Sequence, residues 1–173
     1  SVIFAKFTLT GLPSFKYNKV TGSVNILKEG KPVKVNLAKI TDIEEEAIYW
    51  RKAYAIHSWF VSEVQNGIDE CSPHDVSFEQ LTKLSILCQQ TVDYLKTVPV
   101  ILKEVSVNFS ISVKTEIIEV YDATPEELPI SPSSGFFFGS TDIDDYFVKY
   151  LQYTIDAIAE LDPTAKYEYC SSW

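Results

Sequence analysis

The spacing of apolar residues changes several times along the chain, and each change predicts a new element. In the first forty residues apolar and polar positions alternate, which predicts strands. The first strand would carry Ile3, Ala5, Phe7 and Leu9 on one face, and two later alternating runs flank Glu29-Gly30. A glycine between two such runs is typical of a hairpin turn. We therefore expect residues 1–40 to be rich in β structure.

Residues 41–97 carry apolar positions at steps of three and four, which predicts a pair of helices. Thr41 stands three residues before Glu44, and Ser77 three residues before Gln80. This is the spacing of a capping box, so we expect the helices to begin there. Asn66-Gly67 is expected to end the first helix, and the second should run over 77–96.

The spacing then changes to two. Apolar residues at odd positions from 105 to 113 alternate with polar ones, which predicts a strand with one buried and one solvent-facing side. Ile118 and Val120 are even-numbered, so we place a bulge or a turn near Lys114-Thr115. Residues 100–121 are therefore expected to form a β insertion.

The remainder combines a loop with a third helix. Proline and serine are frequent over 122–134, which predicts an irregular connection. Ser140 or Thr141 is expected to cap a helix over 140–162, with three aspartates (142, 144 and 145) in its first turn. We expect the tail KYEYCSSW to be loose, with docking of its two tyrosines and Trp173 as the alternative.

These elements predict one α+β domain over residues 1–173. Three main helices would pack with an antiparallel sheet, built from the N-terminal hairpin and the strands near 104–121. No run of about 18 apolar residues occurs, so no membrane-spanning helix is expected.

The charge balance limits the classes of partner. Fifteen basic and twenty-four acidic residues give a net charge of −9, which disfavours binding to a phosphate backbone. Nucleic acid is therefore not expected as a partner. The acidic surface either keeps the protein solvated or mimics nucleic acid towards a basic host protein.

The cysteines do not predict a disulfide framework. They are Cys71, Cys88 and Cys170, an odd number without a CxxC pair, which favours reduced thiols in a cytosol. Cys71 and His74 have a spacing seen in zinc sites but supply only half of the ligands. We expect neither a metal nor a cofactor.

Two segments together carry a family resemblance. They are YWRKAYAIHSWF over 49–60 and GFFFGST over 135–141, joined by VQNGIDEC over 64–71 and a cysteine-containing helix. In this order they resemble a family of small proteins found widely in bacteriophages and prophages. The resemblance covers residues 45–97 and 134–161. It implies a phage-encoded protein acting in the host bacterial cytoplasm, but no established activity.

The sequence departs from that family in two places. The β-rich stretch at 100–121 is additional, and Ile143 stands where the family tends to have tyrosine.

The first motif supplies candidate ligand-binding residues. Arg51 and His57 lie six residues apart, about 120° around one predicted helix. His57 would act as a base or ligand contact and Arg51 would bind a phosphate or carboxylate. The structural alternative is a buried histidine bonded to a carbonyl and an arginine paired with a carboxylate. Three aromatic residues would form a base-stacking wall or, alternatively, belong to the core: Tyr49, Trp50 and Trp59.

The second motif supplies the other candidates, Phe137, Ser140 and Thr141. Free backbone N–H groups at the start of a helix bind anions, although the nearby aspartates would repel a phosphate. Those aspartates would hold a hydrated cation or cap the helix. The phenylalanine run is expected to be a buried plug.

No catalytic signature such as GxSxG, Walker A or HExxH is present. We therefore expect a binding protein that acts by occupancy on a host protein or a small nucleotide-like ligand, in support of counter-defence. Two alternatives stay open: a small enzyme using Arg51 and His57 on a phosphorylated substrate, and a virion-associated structural protein. Self-association into a homo-oligomer also stays open.

Overall fold

The computed structural model describes residues 2–8, 23–28, 31–36, 42–109, 112–134 and 141–171. Three α-helices and an antiparallel sheet confirm the predicted α+β class. The described elements are, in order, β1 (Val2–Thr8), β2 (Ser23–Lys28), β3 (Lys31–Asn36), β4 (Asp42–Tyr49), α1 (Tyr54–Glu63), β5 (His74–Val76), α2 (Phe78–Leu95), β6 (Val100–Phe109), β7 (Ser112–Tyr121), α3 (Asp145–Ala159) and β8 (Lys166–Cys170).

The main sheet has four antiparallel strands in the order β4-β1-β8-β5. Its membership differs from our expectation, because β2–β3 and β6–β7 form separate two-stranded sheets. The predicted N-terminal hairpin is thus confirmed as a pair, while its turn at Glu29-Gly30 lies outside the described residues. The tail that we expected to be loose supplies β8, one of the two central strands, which pairs along β1.

Residues 42–49 correct the predicted start of the first helix. They form β4, paired with β1, and α1 begins only at Tyr54. The register shifts between Ile3 and Phe4, which leaves Ala47 as an extra residue in β4. A bulge of this kind breaks the period of two. For this reason the spacing of apolar residues in this strand predicted a helix where the chain forms a strand.

The other helix boundaries follow local chemistry. Ser77 forms the predicted capping box with Gln80 at the start of α2. The predicted third helix is present as α3, but its predicted N-cap was wrong. Asp144 rather than Ser140 or Thr141 is the N-cap and accepts a hydrogen bond from the Phe147 N–H at 2.9 Å. Asn66 and Gly67 follow α1 with positive φ angles of 54° and 81°, as expected for the predicted helix end.

One hydrophobic cluster joins the helices to the main sheet. The sheet contributes Ile3, Ile48, Tyr167 and Tyr169, and side chains of all three helices pack on them. The 122–134 segment also belongs to this core, because Leu128 and Ile130 are buried. The Ile130 N–H donates to Thr91 Oγ1 at 3.0 Å, which fixes the segment on α2.

The β6–β7 hairpin corrects the predicted insertion. Phe109 pairs with Ser112, so the chain reverses before Lys114 rather than near Lys114-Thr115. One face carries Leu102 and Ile117, which are 71% and 65% exposed. These two residues lie on the face opposite to Val105, which belongs to the predicted apolar face of 105–113 and is half-buried. The side chains of the other residues of that predicted face lie outside the described ones. Among the described residues, no helix has the length and apolar character needed to cross a bilayer.

The Trp50–Thr154 hydrogen bond generates a prediction about stability. Thr154 Oγ1 is buried and accepts from the Trp50 indole N–H at 2.8 Å. In Thr154→Val the indole N–H loses its acceptor, so we expect the free energy of unfolding to fall by about 1–3 kcal/mol in urea denaturation. Thr82→Val is the matched control, because the exposed Thr82 hydroxyl donates only to the Phe78 carbonyl of its own helix. Equal losses in the two variants would contradict the prediction.

A second prediction concerns Cys88, whose buried thiol has its pKa raised by desolvation to about 12. Above about pH 9 the unfolded chain releases this proton while the folded chain keeps it. The free energy of unfolding should therefore fall as pH rises from 9 to 11, by up to about 1.4 kcal/mol per unit from this group. Cys88→Ala should show a shallower fall than the wild type in urea denaturation at each pH. The exposed Cys71→Ala is the control and should keep the wild-type slope. Parallel curves for Cys88→Ala and the wild type would refute the assignment.

Candidate functional site

Helix α1 presents one side to a cleft of about 490 Å³. The opposite wall comes from the loop that follows the helix, where the left-handed Asn66 and Gly67 turn the chain back. The polar residues that line the cleft are Tyr54, His57, Ser58, Ser62, Asn66 and Asp69. None of the lining residues is lysine or arginine. The described lining of the cleft is therefore mostly polar and includes one carboxylate but no lysine or arginine.

His57 is the buried polar residue at this cleft, with only 5% of its surface exposed. Its Nδ1 lies 2.5 Å from the Tyr169 hydroxyl, a hydrogen-bond distance. Its Nε2 lies 3.2 Å from Asp69 Oδ1, close enough for an ion pair when the ring is protonated. The two groups are poorly aligned, however, and within the described part of the chain Nε2 makes no hydrogen bond. A buried nitrogen without a hydrogen bond is costly unless a ligand or water supplies one.

Asp69 is held near His57 by hydrogen bonds to the residue that follows it. The Glu70 carbonyl accepts from Gln65 Nε2 at 2.8 Å and from Ser171 Oγ at 3.2 Å. The first bond ties the loop to the end of α1, and the second ties it to the end of β8. These contacts restrict the backbone beside Asp69 and so keep the loop near His57.

Aromatic rings form the inner side of the site. The Phe60 and Tyr169 rings stack with centroids 4.0 Å apart and planes 10° apart. The Tyr54 ring lies 5.3 Å from the imidazole of His57 at an angle of 60°. Ser58 Oγ and Ser133 Oγ, 2.8 Å apart, join α1 to the 122–134 segment. The imidazole is thus fixed by packing as well as by Tyr169.

The structure does not bring Arg51 and His57 together. Arg51 lies before α1, next to Lys52 in the left-handed region, so the predicted 120° relation on one helix is wrong. Arg51 is exposed and is not among the residues of the cleft. Its backbone carbonyl accepts from the Tyr146 hydroxyl at 2.9 Å, which fixes the turn against α3.

The aromatic candidates also have different positions. Trp50 and Trp59 are buried in the core, which corrects the hypothesis that they form a stacking wall. Trp50 packs on Phe60 with ring centroids 5.7 Å apart, and Trp59 meets the same ring edge-on at 5.1 Å. Tyr49 is 52% exposed at the end of β4 and does not line the cleft. The core interpretation therefore applies to both tryptophans.

The second motif contributes little to the described site. Phe137 and Ser140 lie outside the described residues, so their predicted roles stay predictions. Thr141 is exposed and precedes the cap of α3.

The aspartates beside this motif have structural roles. Asp144 caps α3, Asp142 pairs with Lys103 at 2.6 Å, and Asp145 pairs with Lys149 at 3.3 Å. Capping and ion pairing therefore account for these residues without a cation.

The Cys71 and His74 spacing does not form a zinc site. His74 Nε2 lies 2.8 Å from Glu70 Oε1 instead. In the described ranges, no group of three or more His, Cys, Asp or Glu side chains is arranged to hold a metal ion.

The sequence analysis missed Tyr169 and Asp69 as partners of His57. Tyr169 stands in the tail that was expected to be loose, and it reaches His57 because β8 pairs with β1. Asp69 belongs to the VQNGIDEC motif, but no spacing rule links it to a histidine twelve residues earlier. The available signal was the alternation in KYEYC, which places two tyrosines on one face of a strand.

Removing the Tyr169 hydroxyl tests its part in the site. Tyr169→Phe keeps the stacking on Phe60 but leaves the buried His57 Nδ1 without its partner. We expect a loss of about 1–3 kcal/mol in the free energy of unfolding, and a shift of the His57 imidazole ¹⁵N resonances. Tyr146→Phe is the control, since its exposed hydroxyl bonds to Arg51 O, and it should leave those resonances in place. Unchanged His57 resonances in Tyr169→Phe would show that the contact is absent in solution.

Comparison of the chain with protein-family models, with curated proteins and with solved structures gives no match. The resemblance to the bacteriophage family stays a prediction. The function proposed for this chain therefore rests on the geometry of the His57 cleft and on the chemistry of the residues around it.

Proposed function

We propose that this chain is a ligand-binding protein whose His57 cleft holds a nucleoside-like molecule. The observation that carries the proposal is the buried Nε2 of His57, which lacks a hydrogen bond at the wall of a cleft. A ligand group that both donates and accepts, such as a hydroxyl, would bond to this nitrogen and to the adjacent Asp69 carboxylate. Both groups are already positioned, so little ordering accompanies binding.

The lining residues favour one class of ligand. The described lining includes a carboxylate but no lysine or arginine, which favours ligands that present hydrogen-bond donors and disfavours anions. The Tyr54 ring offers an aromatic surface against which a planar heterocycle can pack. A nucleoside combines a flat base, amino groups and ribose hydroxyls, and a cleft of about 490 Å³ lies in the usual range for such ligands. The phosphate of a nucleotide would extend away from Asp69.

The biological setting follows from the motif resemblance. We propose that the chain is encoded by a bacteriophage and acts in the cytoplasm of the host. There it would act by occupancy, holding a nucleotide-like molecule of the host and so supporting counter-defence.

An enzyme is the second candidate, and the same histidine favours it. A histidine between a tyrosine hydroxyl and a carboxylate can exchange a proton with a bound substrate. Arg51 is not part of that site, so a phosphorylated substrate is disfavoured. Recovery of the ligand unchanged after prolonged incubation, assayed by mass spectrometry, separates binding from turnover.

A host protein is the alternative ligand of the binding hypothesis. The exposed apolar side chains of Leu102 and Ile117 favour a protein contact at the β6–β7 hairpin, away from the cleft residues. Leu102→Glu should then weaken the capture of such a partner without changing the affinity for a nucleoside.

A binding experiment with defined probes tests the cleft. Adenosine, guanosine, cytidine and uridine are screened by thermal shift, and we expect at least one to raise the melting temperature. Calorimetry then gives its affinity for two variants. Asp69→Asn should weaken binding about tenfold or more, because a charge-assisted hydrogen bond is lost.

Asp75→Asn is the matched control, since Asp75 is exposed on β5 and outside the cleft. It should bind like the wild type. The corresponding nucleoside monophosphate should bind no better than the nucleoside. The proposal fails if none of the four nucleosides binds, or if Asp69→Asn and Asp75→Asn bind equally well.

A further inference from the structure

Two of the three cysteines lie beside the residues that contact His57. Cys170 directly follows Tyr169 in β8, and Cys71 stands two residues after Asp69 in the loop. Cys71 is exposed and Cys170 is half-buried. The two segments that hold His57 between them therefore each carry an accessible thiol.

These two thiols belong to chain segments in direct contact. The Cys170 thiol donates to the Cys71 carbonyl oxygen, with 3.1 Å between sulfur and oxygen. A carbonyl oxygen is two bonds, of about 1.5 and 1.2 Å, from its own Cα. The Cys170 sulfur therefore lies within about 6 Å of the Cys71 Cα. A disulfide joins Cα atoms about 4.4–6.8 Å apart, so the Cys71 backbone and side chain have to adjust to bring its sulfur to the nearby Cys170 sulfur.

The surrounding structure keeps the segments in register while leaving Cys71 room to adjust. Strands β5 and β8 pair from His74 opposite Tyr169 onward, and Ser171 Oγ donates to the Glu70 carbonyl at 3.2 Å. Cys71 lies between these two attachments, in a bend outside any helix or strand. The attachments hold the two cysteines close in the reduced protein. This favours a disulfide within one molecule over a disulfide between two molecules.

The third cysteine does not compete for this reaction. Cys88 is fully buried in α2, within the hydrophobic core. Thiol–disulfide exchange needs an accessible thiolate, which a buried thiol cannot present. The three cysteines are therefore one accessible pair, Cys71 and Cys170, and one core residue, Cys88.

We propose that Cys71 and Cys170 form a reversible disulfide that controls the His57 cleft. The oxidant is a low-molecular-weight disulfide, with oxidised glutathione as the probe. The Cys71 thiolate attacks one glutathione sulfur, forms a mixed disulfide and releases one glutathione thiolate. The Cys170 thiolate then attacks the Cys71 sulfur and releases the second. Two protein thiols are oxidised, one glutathione disulfide is reduced to two thiols, and the two protons from the cysteines pass to the released thiolates.

The cross-link acts on the residues that define the cleft. It joins the loop that carries Asp69 to the strand that carries Tyr169. The cross-link therefore restricts the distance between Asp69 and Tyr169, which lie on either side of His57. This consequence rests on the proposed function of the cleft, whereas the disulfide itself does not. We expect the oxidised and reduced proteins to differ at least threefold in their affinity for the nucleoside found by the screen.

Mass spectrometry of the full chain tests the disulfide. After treatment with oxidised glutathione, the intact monomer should lose two hydrogen atoms, and peptide mapping should join Cys71 to Cys170 with Cys88 still a thiol. Dithiothreitol should reverse the change. Because the cross-link spans most of the chain, the melting temperature of the oxidised form should rise by about 5–10 °C.

Two variants control this experiment. Cys88→Ala should oxidise like the wild type, and Cys71→Ser should gain no intramolecular bond and no rise in melting temperature. A stable glutathione adduct on a single cysteine, or a dimer joined between chains, would overturn the proposal. If the intramolecular bond forms but nucleoside affinity is the same in both redox forms, control of the cleft is refuted. If neither form binds any nucleoside, the proposed function fails while the disulfide stands.

Discussion

Tyr169 joins the last strand of the protein to its first helix. Its ring lies flat on Phe60 with centroids 4.0 Å apart, and its hydroxyl lies 2.5 Å from His57 Nδ1. Ile3 stands opposite it on β1, so the same residue completes the central pair of the main sheet. The Tyr169 ring packs in the core, and its hydroxyl contacts His57 at the cleft. Because one side chain supplies both, the polar site cannot change its position without disturbing the core.

This double role explains how a buried histidine is accommodated. Burying a polar group costs free energy unless its hydrogen bonds are made. Tyr169 lies within hydrogen-bond distance of one nitrogen of His57, while the other is buried 3.2 Å from Asp69 Oδ1 without forming a hydrogen bond. Within the described part of the chain, one imidazole nitrogen of His57 is therefore hydrogen-bonded and the other is not. A buried nitrogen without a hydrogen bond is costly, and this cost is the reason that we propose a ligand there.

The sequence predicted the parts of the fold whose causes are local. The capping box at Ser77, the helix end at Asn66-Gly67 and the N-terminal hairpin depend on residues a few positions apart, and all three are confirmed. The errors arise where distant contacts decide. The bulge at Ala47 interrupts the period of two in β4, so the spacing of its apolar residues predicted a helix. Strand β8 pairs with β1, at the other end of the chain, and with β5. Of the site, only His57 could be predicted, since its partners are brought to it by that pairing.

The motif YWRKAYAIHSWF illustrates why neighbours in sequence need not share a role. Trp50 is fixed in the core by its bond to Thr154, and Arg51 stands in an exposed turn where its carbonyl accepts from Tyr146. Lys52, with a φ of 59°, separates this part from α1, which carries His57 into the cleft. The first half of the motif thus positions the helix and the second half supplies the polar group. A resemblance over the whole motif would therefore preserve the placement of the site as much as its chemistry, and the ligand must be inferred from the cleft itself.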